Sequence, residues 1–218
     1  MNENEYTPYD YEKAQTEATA WFNDYYKDAN SEIDKVAWAK GEVNPFLEEY
    51  LQEHSVAALK CIVIGSGLGD DAFALYLSDA KVTAIDISPE AINWAKKRFD
   101  GAEIDFQVAD LFALPESLLG SFDFVFEAYT IQSLPLALRD RTITAIASLL
   151  KPSGKLLTVC NAKQNNETFQ GPPWPLTFNE LRLFTMKSCR ELEFSIFEND
   201  SALSSLKIRA LFEKERLI

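Results

Sequence analysis

The stretch of sequence that decides the fold is Cys61–Asp86, which reads CIVIGSGLGDDAFALYLSDAKVTAID. Its first four residues, Cys61–Ile64, form an apolar run that is typical of a buried parallel strand. A glycine cluster follows, then a helical segment, and then a second apolar run that ends in Asp86. Because glycine has no Cβ, the backbone of such a turn can approach a ligand closely. This order of elements predicts a nucleotide-binding βαβ unit.

The spacing of the glycines separates two classes of nucleotide site. Residues 65–69 read G-x-G-x-G, whereas a dinucleotide fingerprint needs a glycine or alanine where this chain has Asp70. Asp70 and Asp71 at the start of the helix also disfavour a phosphate there, and they favour a ligand that carries positive charge. Asp86 ends the second strand, where its carboxylate can accept hydrogen bonds from both hydroxyls of a ribose.

Composition and charge restrict the class of protein. The chain has 218 residues, of which 47% are hydrophobic, and this predicts one domain with a substantial core. A net charge of −13 disfavours nucleic acid and anionic membrane surfaces as partners. Cys61, Cys160 and Cys189 predict neither a disulfide framework nor a metal site. The polar first residues and the lack of an apolar run of roughly 20 residues predict a cytoplasmic protein that does not enter a membrane.

Strands and helices are predicted to alternate through most of the chain. Helices precede the first strand at 11–27 and 45–51, and the remaining helices are predicted at 72–77, 89–99, 139–150 and 177–186. Strands are predicted at 61–64, 81–85, 103–108, 122–126, 155–160, 192–198 and 206–213. The last two strands have no crossover helix between them, so they form an antiparallel hairpin.

This element order predicts the fold class. Strands that alternate with helices imply a parallel sheet covered on both faces. We therefore predict an α/β protein with a three-layer αβα, Rossmann-like fold, whose seven-stranded, mostly parallel sheet ends in an antiparallel C-terminal hairpin. A single domain is expected over residues 1–218, with an N-terminal helical cap at 1–58 and a Rossmann-like core at 59–218.

In such sheets, ligands bind outside the carboxyl ends of the strands. Residues that end the first five strands should therefore border one crevice, and these residues are Gly65–Asp71, Asp86, Asp110, Glu127 and Cys160–Asn161.

With the G-x-G-x-G turn, its two acids, Asp86 and the terminal hairpin, residues 60–213 resemble the class I S-adenosylmethionine-dependent methyltransferases. The resemblance implies the methyltransferase fold, S-adenosylmethionine as cofactor and S-adenosylhomocysteine as product. It also implies a set of cofactor contacts, with the methionine moiety at Gly65, Ser66 and Gly67, the ribose at Asp86, the adenine at Ile87, Asp110 and Leu111, and Glu127 beside the cofactor.

One position departs from the pattern that this resemblance implies. Many relatives carry an acidic residue two positions before the first glycine, where it helps to bind the amino group of the cofactor. This chain has Val63 there. Asp70 or Asp71 can serve instead, although both residue types also suit simple capping of the helix.

Two further segments narrow the resemblance. Val36–Ala39 with Asn44-Pro45, and Glu127–Pro135 with Arg139, resemble the thiopurine and thiol methyltransferase branch and its bacterial relatives. In that branch an N-terminal tryptophan covers the cofactor, which implies this role for Trp38; the alternative is a core aromatic that fixes the N-terminal helices. The branch often has aspartate and arginine where this chain has Glu127 and Ala128, which disfavours thiopurine or halide activity.

Substrate recognition is predicted for Tyr129, Gln132 and Trp174, the last within the proline-rich loop 171–175, where Pro173 or Pro175 is a candidate for a cis peptide bond. Glu127 is the candidate catalytic base if the acceptor is a hydroxyl or an amine. A soft anionic acceptor needs no base, because the sulfonium already activates the methyl group. The sole histidine, His54, is predicted to be a surface or capping residue.

Three functions remain open from the sequence. The first is an S-adenosylmethionine-dependent methyltransferase that acts on a small-molecule sulfur, oxygen or nitrogen nucleophile. The others are an NAD(P)-dependent oxidoreductase and a non-catalytic S-adenosylmethionine-binding protein. The expected partner is a small molecule rather than a nucleic acid or a membrane, and the protein is expected to be a monomer or a homodimer.

Overall fold

The computed structural model describes residues 8–164, 167–201 and 204–216. In the described part, the strands are β1 Lys60–Ile64, β2 Lys81–Asp86, β3 Ile104–Val108, β4 Phe122–Ala128, β5 Leu150–Ala162, β6 Cys189–Ser201 and β7 Ser204–Lys214. They form one sheet in the order β3-β2-β1-β4-β5-β7-β6. The first five strands pair in parallel, and β7 is antiparallel to both β5 and β6. The predicted mostly parallel sheet with its C-terminal hairpin is confirmed.

The α-helices of the described part are α1 Pro8–Asp28, α2 Pro45–Glu53, α3 Asp70–Leu77, α4 Pro89–Arg98, α5 Thr130–Ser133, α6 Arg139–Leu149 and α7 Phe178–Leu181. Short 3-10 helices occur at Ile33–Lys35, Glu116–Leu118, Leu136–Leu138 and Arg182–Lys187. None of the helices described is long and apolar enough to cross a membrane.

The sheet lies between two cores. Successive side chains of a strand point to opposite faces, so Ile62 of β1 joins Ile143 of α6 in one core. Its neighbour Val63 joins Leu75 of α3 and Leu47 of α2 in the other. Each fully buried aliphatic side chain of this kind stabilises the fold by about 1.5–3 kcal/mol. The two cores explain the three-layer arrangement.

Side chains cap the starts of three helices. The side chains of Asn44, Ser88 and Thr177 accept hydrogen bonds from first-turn N–H groups of α2, α4 and α7, at 3.0, 3.1 and 3.2 Å. Glu180 completes a capping box at Thr177. Each cap of this kind stabilises a helix end by about 1 kcal/mol.

Among the differences from the prediction, two concern strand β5 and the helix predicted at 177–186. Strand β5 begins at Leu150 rather than at Lys155, because Leu150 pairs with Phe122 before a shift of register. The predicted helix 177–186 is a single turn, α7, followed by a 3-10 helix. Phe184 and Thr185 have lower helix propensity than straight-chain residues, which favours the tighter and shorter helix.

A third, smaller core joins α1 to the rest of the protein. Tyr26 and Ala29 of α1 cluster with Leu68 of the glycine turn and Trp94 of α4. Helix α1 therefore lies over the carboxyl end of β2. The division into a cap at 1–58 and a core at 59–218 stays a prediction, and residues 1–7 lie outside the described residues.

Candidate active site

The turn between β1 and α3 depends on backbone that only glycine adopts easily. Gly65, Gly67 and Gly69 have φ values of 59°, 50° and 88°, in the left-handed region. A Cβ on Gly65 would lie 2.3 Å from the hydroxyl oxygen of Thr130, the first residue of α5. Thr130 Oγ1 also donates to the Ile64 carbonyl at 3.2 Å. The end of β4 and the glycine turn are therefore in direct contact.

Asp86 closes the turn from the neighbouring strand. Its side chain is buried, with Oδ2 accepting from the Gly67 N–H and Oδ1 from the Ser88 N–H, both at 2.9 Å. Burial raises the pKa of this carboxyl group, while backbone hydrogen bonds from Ser88, Gly67 and Ile87 oppose the rise. A carboxylate offers about four acceptor sites, so capacity remains for the predicted ribose hydroxyls.

An aromatic roof lies over the turn. The Tyr26 hydroxyl is 3.0 Å from the position that a Cβ on Gly67 would take, and it accepts a hydrogen bond from Trp38 Nε1 at 2.8 Å. Burial, and then the nearby charge of Asp86, raise the pKa of Tyr26. Trp38 is 44% exposed and stacks on Tyr25 with ring centroids 4.6 Å apart. The structure therefore brings Trp38 to the turn through Tyr26.

Tyr26 is not among the predicted site residues, although a signal for it exists. It follows Phe22 by four residues, and such pairs share one face of a helix. What the local sequence does not show is where that face docks. Asn23 Oδ1 accepts from Ser88 Oγ and from the Glu90 N–H, both at 3.1 Å, and this pairing fixes α1 against the start of α4.

The two acids after the turn have different surroundings. Asp70 forms a bidentate pair with Arg98 at the end of α4, at 2.6 and 2.8 Å, and Arg98 also donates to the Leu68 carbonyl. Asp71 Oδ1 accepts instead from the Asn44 N–H at 2.7 Å. Burial raises the pKa of Asp71 to about 6, the Asn44 hydrogen bond opposes this rise, and the charge of Asp70 adds to it. Asp70 thus ties the turn to α4, whereas Asp71 faces the loop before α2.

Val63 occupies the position where many relatives have an acid. Its side chain is 2% exposed, inside the core between β1 and α3. An ammonium group therefore finds no contact there.

The residues at this edge fit the S-adenosylmethionine that the resemblance implies. Ser66 Oγ is buried and has no hydrogen-bond partner among the residues that the structure describes. Buried polar groups are normally paired, so a polar group of a ligand would satisfy this hydroxyl. Asp71 and Asp86 supply negative charge beside the turn, which suits a ligand with ammonium and sulfonium groups.

The predicted adenine contacts lie at the ends of β2 and β3. Ile87 is half-buried directly after Asp86, and Asp110 Oδ1 accepts from an N–H two residues further on, at 2.8 Å. Leu111 packs against the core that also contains α6. The contacts of these residues with adenine stay a prediction.

Glu127, the predicted base, is completely buried at the end of β4. Its Oε1 accepts from the N–H groups of Thr130 and Ile131, at 2.7 and 3.0 Å, and its Oε2 accepts from Thr158 Oγ1 at 2.5 Å. Burial raises the pKa of Glu127, while those hydrogen bonds and the charge of Arg139 oppose the rise. The carboxylate holds the first turn of α5, and both of its oxygens are engaged within the protein.

Tyr129 has an unusual backbone conformation at the same edge. Its φ is 64°, and its N–H donates to the Val159 carbonyl at 2.9 Å. The Lys207 ammonium lies over its ring, 5.5 Å from the centroid. Burial raises the pKa of Tyr129, while the Asn44 side chain and the charge of Lys40 lower it. A bulky residue in the left-handed region costs about 1–3 kcal/mol, which marks the position as strained.

Gln132 and Trp174 connect β5 to the proline-rich loop. Gln132 Oε1 accepts from the Asn161 N–H at 2.6 Å, and the Gln132 carbonyl accepts from the Trp174 N–H at 2.7 Å. Arg139, which is 4% exposed, donates to the carbonyls of Ile131 and Trp174 at 2.6 and 3.1 Å. The structure therefore gives the Gln132 side chain a partner within the protein.

The loop itself is compact. A Cβ on Gly171 would lie 2.3 Å from the Trp174 ring, so the glycine backbone packs directly on the indole. The peptide bonds before Pro172 and Pro173 are cis. The sequence singles out Pro173 and Pro175, and of these the structure has a cis bond only before Pro173.

His54 lies apart from these residues. It follows α2, stacks on Tyr50 with centroids 4.3 Å apart, and its Nδ1 is 3.2 Å from the Tyr50 carbonyl. The position is near the start of β1, away from the carboxyl ends of the strands.

Known proteins resemble both the sequence and the fold. A family model for thiopurine S-methyltransferase matches residues 21–216. The thiopurine S-methyltransferase of Legionella pneumophila (strain Corby) is 25% identical over 179 residues, which cover 73% of this chain and 78% of that protein. The ubiquinone biosynthesis O-methyltransferase of Nitrosococcus oceani is 31% identical over 118 residues, 53% of this chain. The chain spans about half of that relative, 49% of its length.

A solved structure supports the fold. Magnesium protoporphyrin IX methyltransferase from Synechocystis PCC 6803, with bound S-adenosylhomocysteine, superposes with a TM-score of 0.72 at 16% identity, over 93% of this chain and 100% of that one. Because the family model spans residues 21–216, nearly the whole described chain, this chain belongs to the thiopurine S-methyltransferase family and is an S-adenosylmethionine-dependent methyltransferase.

Proposed function

We propose that this enzyme transfers the methyl group of S-adenosylmethionine to a small-molecule acceptor whose nucleophile reacts as an anion. The observation that carries the proposal is the contact of the glycine turn, which closes on Asp86, with Thr130, the residue after the strained Tyr129. The cofactor supplies a methyl group activated by its sulfonium, so placement of the acceptor provides much of the acceleration. The net charge of −13 favours a small molecule over a nucleic acid.

The glycine turn and its acids are proposed to hold the donor. The backbone of residues 65–67 receives the methionine moiety, and Asp86 accepts hydrogen bonds from the ribose. Asp70 is engaged by Arg98, so Asp71 is proposed to bind the ammonium group in place of the acid that Val63 replaces.

The roof and the next two strand ends are proposed to enclose the adenosine. Trp38 and Tyr26 exclude water from above the turn, supported by their hydrogen bond of 2.8 Å. Ile87 packs on the adenine face, while Asp110 and Leu111 meet its edge.

The acceptor is proposed to lie on the other side of the turn, against Tyr129. Gln132 and Trp174 act by fixing the loop that borders this space, since their hydrogen bonds join β5 to residues 171–175.

Glu127 positions α5 in this proposal, because three donors engage its carboxylate. Its role as a base belongs to the alternative of a hydroxyl or amine acceptor, which stays a prediction.

Two measurements test the proposal. Calorimetric titration should show binding of S-adenosylhomocysteine and none of NADH. Transfer of a radiolabelled methyl group should occur to thiols or acidic phenols, and Glu127→Gln should change turnover by less than about threefold, as in the exposed control Glu103→Gln.

Other outcomes would contradict it. Loss of turnover by about 100-fold or more in Glu127→Gln, with cofactor affinity intact, assigns proton transfer to Glu127. Binding of S-adenosylhomocysteine without transfer to any member of the panel indicates a non-catalytic binding protein, and binding of NADH alone indicates an oxidoreductase.

A further inference from the structure

Lys207 lies at the carboxyl edge of the parallel strands. It is near the start of β7, where it pairs with Asn161 of β5 and with Phe197 of β6. Because β7 is antiparallel to β5, its first residues meet the last residues of β5, at the edge where Tyr129 follows β4. Lys207 therefore borders the proposed acceptor side of the site.

The neighbours described for the ammonium group of Lys207 are aromatic rings. Its Nζ lies 5.5 Å from the Tyr129 ring centroid and 5.8 Å from that of Phe46. Burial is the cause that lowers the pKa of Lys207. Among the side chains that the structure describes, those of residues 13–14, 16–17, 19–164, 167–198 and 206–216, no carboxylate is within 4.0 Å of this ammonium.

The next cation on the same face of β7 gives an internal contrast. Arg209 is 8% exposed, and it pairs with Glu49 of α2 at 2.7 Å and with Glu193 of β6 at 3.2 Å. A charge that is removed from water needs a partner to offset the loss of hydration. The described side chains thus provide two carboxylate partners for Arg209, and ring faces without a carboxylate for Lys207, two residues away.

The aromatic groups beneath Lys207 are firmly held. Phe46 packs on Phe197 with centroids 4.8 Å apart, and Tyr129 is fixed by its strained backbone. The residue after Tyr129 is Thr130, which touches Gly65 of the glycine turn. A flat ring that packs beside Phe46 and Tyr129 would therefore lie within reach of the Lys207 ammonium and near the glycine turn, where the donor is proposed to bind.

We propose that Lys207 is the charge-recognising residue of the acceptor site, and that the acceptor is an aromatic compound bearing a carboxylate or an equivalent anionic group. This inference rests on the proposed function and deepens it, since it names the class of acceptor. The ammonium donates to the anionic group while Phe46 and Tyr129 contact the ring. Charge-assisted hydrogen bonds of this kind are stronger than neutral ones, which gives selectivity for the acid over its neutral analogue.

The test compares acids with their amides in protein saturated with S-adenosylhomocysteine. Benzoate with benzamide, and 1-naphthoate with 1-naphthamide, serve as probes because they require no assumption about the methylated atom. Ligand-detected NMR titration should show each acid binding about tenfold more tightly than its amide. Lys207→Met keeps the apolar stem over Phe46 and should reduce this ratio to below about twofold, whereas Lys207→Arg should restore most of it.

A matched control removes the same charge elsewhere. Lys81→Met changes an exposed lysine at the start of β2, the opposite edge of the sheet, and should leave the ratio unchanged. A ratio that is the same in wild type and Lys207→Met overturns the inference, as does the absence of binding of either probe while S-adenosylhomocysteine binds. Failure of S-adenosylhomocysteine to bind overturns the proposed function and this inference together.

Discussion

The two sides of the crevice differ in charge and in how far apart in the sequence their contacting residues lie. The glycine-turn side, residues 65–71 and 86–88, carries three carboxylates, and its hydrogen bond from Gly67 to Asp86 joins residues only 19 apart. The β4–β7 side, residues 127–132, 171–175 and 207, brings Lys207 over Tyr129 from the far end of the chain. The contrast suits a cationic donor on one side and an anionic acceptor on the other.

The largest effect is expected from a substitution that removes hydrogen bonds on the β4–β7 side. Arg139→Ala leaves the carbonyls of Ile131 and Trp174 without their donor and Glu180 without its ion-pair partner. We expect the free energy of unfolding to fall by about 3–5 kcal/mol, because one partner of a buried network is removed. Denaturant titration measures this change.

Its control is Arg182→Ala, which removes an exposed arginine paired with Glu191. We expect a loss below about 1 kcal/mol there. Equal losses in the two variants would show that the buried arginine is no more important to stability than the surface one.

A second change affects the contact between the glycine-turn side and the β4–β7 side. Gly65→Ala forces a left-handed alanine and drives its Cβ into Thr130, so we expect a loss of about 2–4 kcal/mol in unfolding free energy. Gly101→Ala has the same backbone penalty with open space around the new Cβ, and should cost only about 1–2 kcal/mol. If thermal or chemical unfolding gives the same loss for both, contact between the sides adds nothing to stability.

A third change affects the glycine-turn side alone. Asp86→Ala should weaken S-adenosylhomocysteine binding by roughly 1–3 kcal/mol, because the proposed acceptor of the ribose hydroxyls is lost. Calorimetry on the folded variant measures the affinity. The exposed Asp105→Ala on β3 is the control, and unchanged affinity in Asp86→Ala would remove this residue from the site.

The smallest expected effect concerns pH and Asp71. Burial raises the pKa of Asp71 from 3.8 to about 6, so its contribution to stability is present below pH 3.8 and is lost as the pH rises through about 6. The proposed binding of the donor ammonium by Asp71 has the opposite requirement, since it needs the ionised carboxylate. We therefore expect affinity for S-adenosylhomocysteine to rise about tenfold between about pH 5 and about pH 7.

Asp71→Asn should remove most of this pH dependence, as calorimetric titrations at both pH values will show. A pH dependence of the same size in the variant would assign the titration to another group and leave the amino group without its proposed partner.

The glycine-turn side is readable from sequence because its parts are close together in the chain. The turn, Asp86 and the cap at Ser88 all lie within 24 residues, and the φ values of the glycines are local properties. The C-terminal hairpin is readable for the same reason, since no crossover helix fits between its strands.

Long-range packing explains what sequence reasoning leaves out. Arg98 reaches Asp70 only because α4 returns along the sheet, and Tyr26 reaches Gly67 only because α1 docks on α4. The sequence shows only that Lys207 lies in a strand. Its position over Tyr129 depends on the pairing of β7 with β5. No local pattern encodes any of these contacts.

Glu127 shows a different limit. The rule that strand-end residues border the crevice gives its position along β4 but not the direction of its side chain. The structure turns the carboxylate toward the first amides of α5 and toward Thr158. The two amide contacts lie within four residues of Glu127, so a helix-capping role was also readable there.

The left-handed backbone at Tyr129 lowers stability, whereas the role proposed for this residue requires its ring. Of the described non-glycine residues with positive φ, it is the single aromatic one, the others being small or short polar residues. A directed-evolution experiment that rewards heat tolerance alone should replace Tyr129 with glycine, which adopts this conformation without strain. Selection for methyl transfer should keep the tyrosine ring. Two parallel selections, one for heat tolerance and one for methyl transfer, should therefore differ first in the residue at position 129.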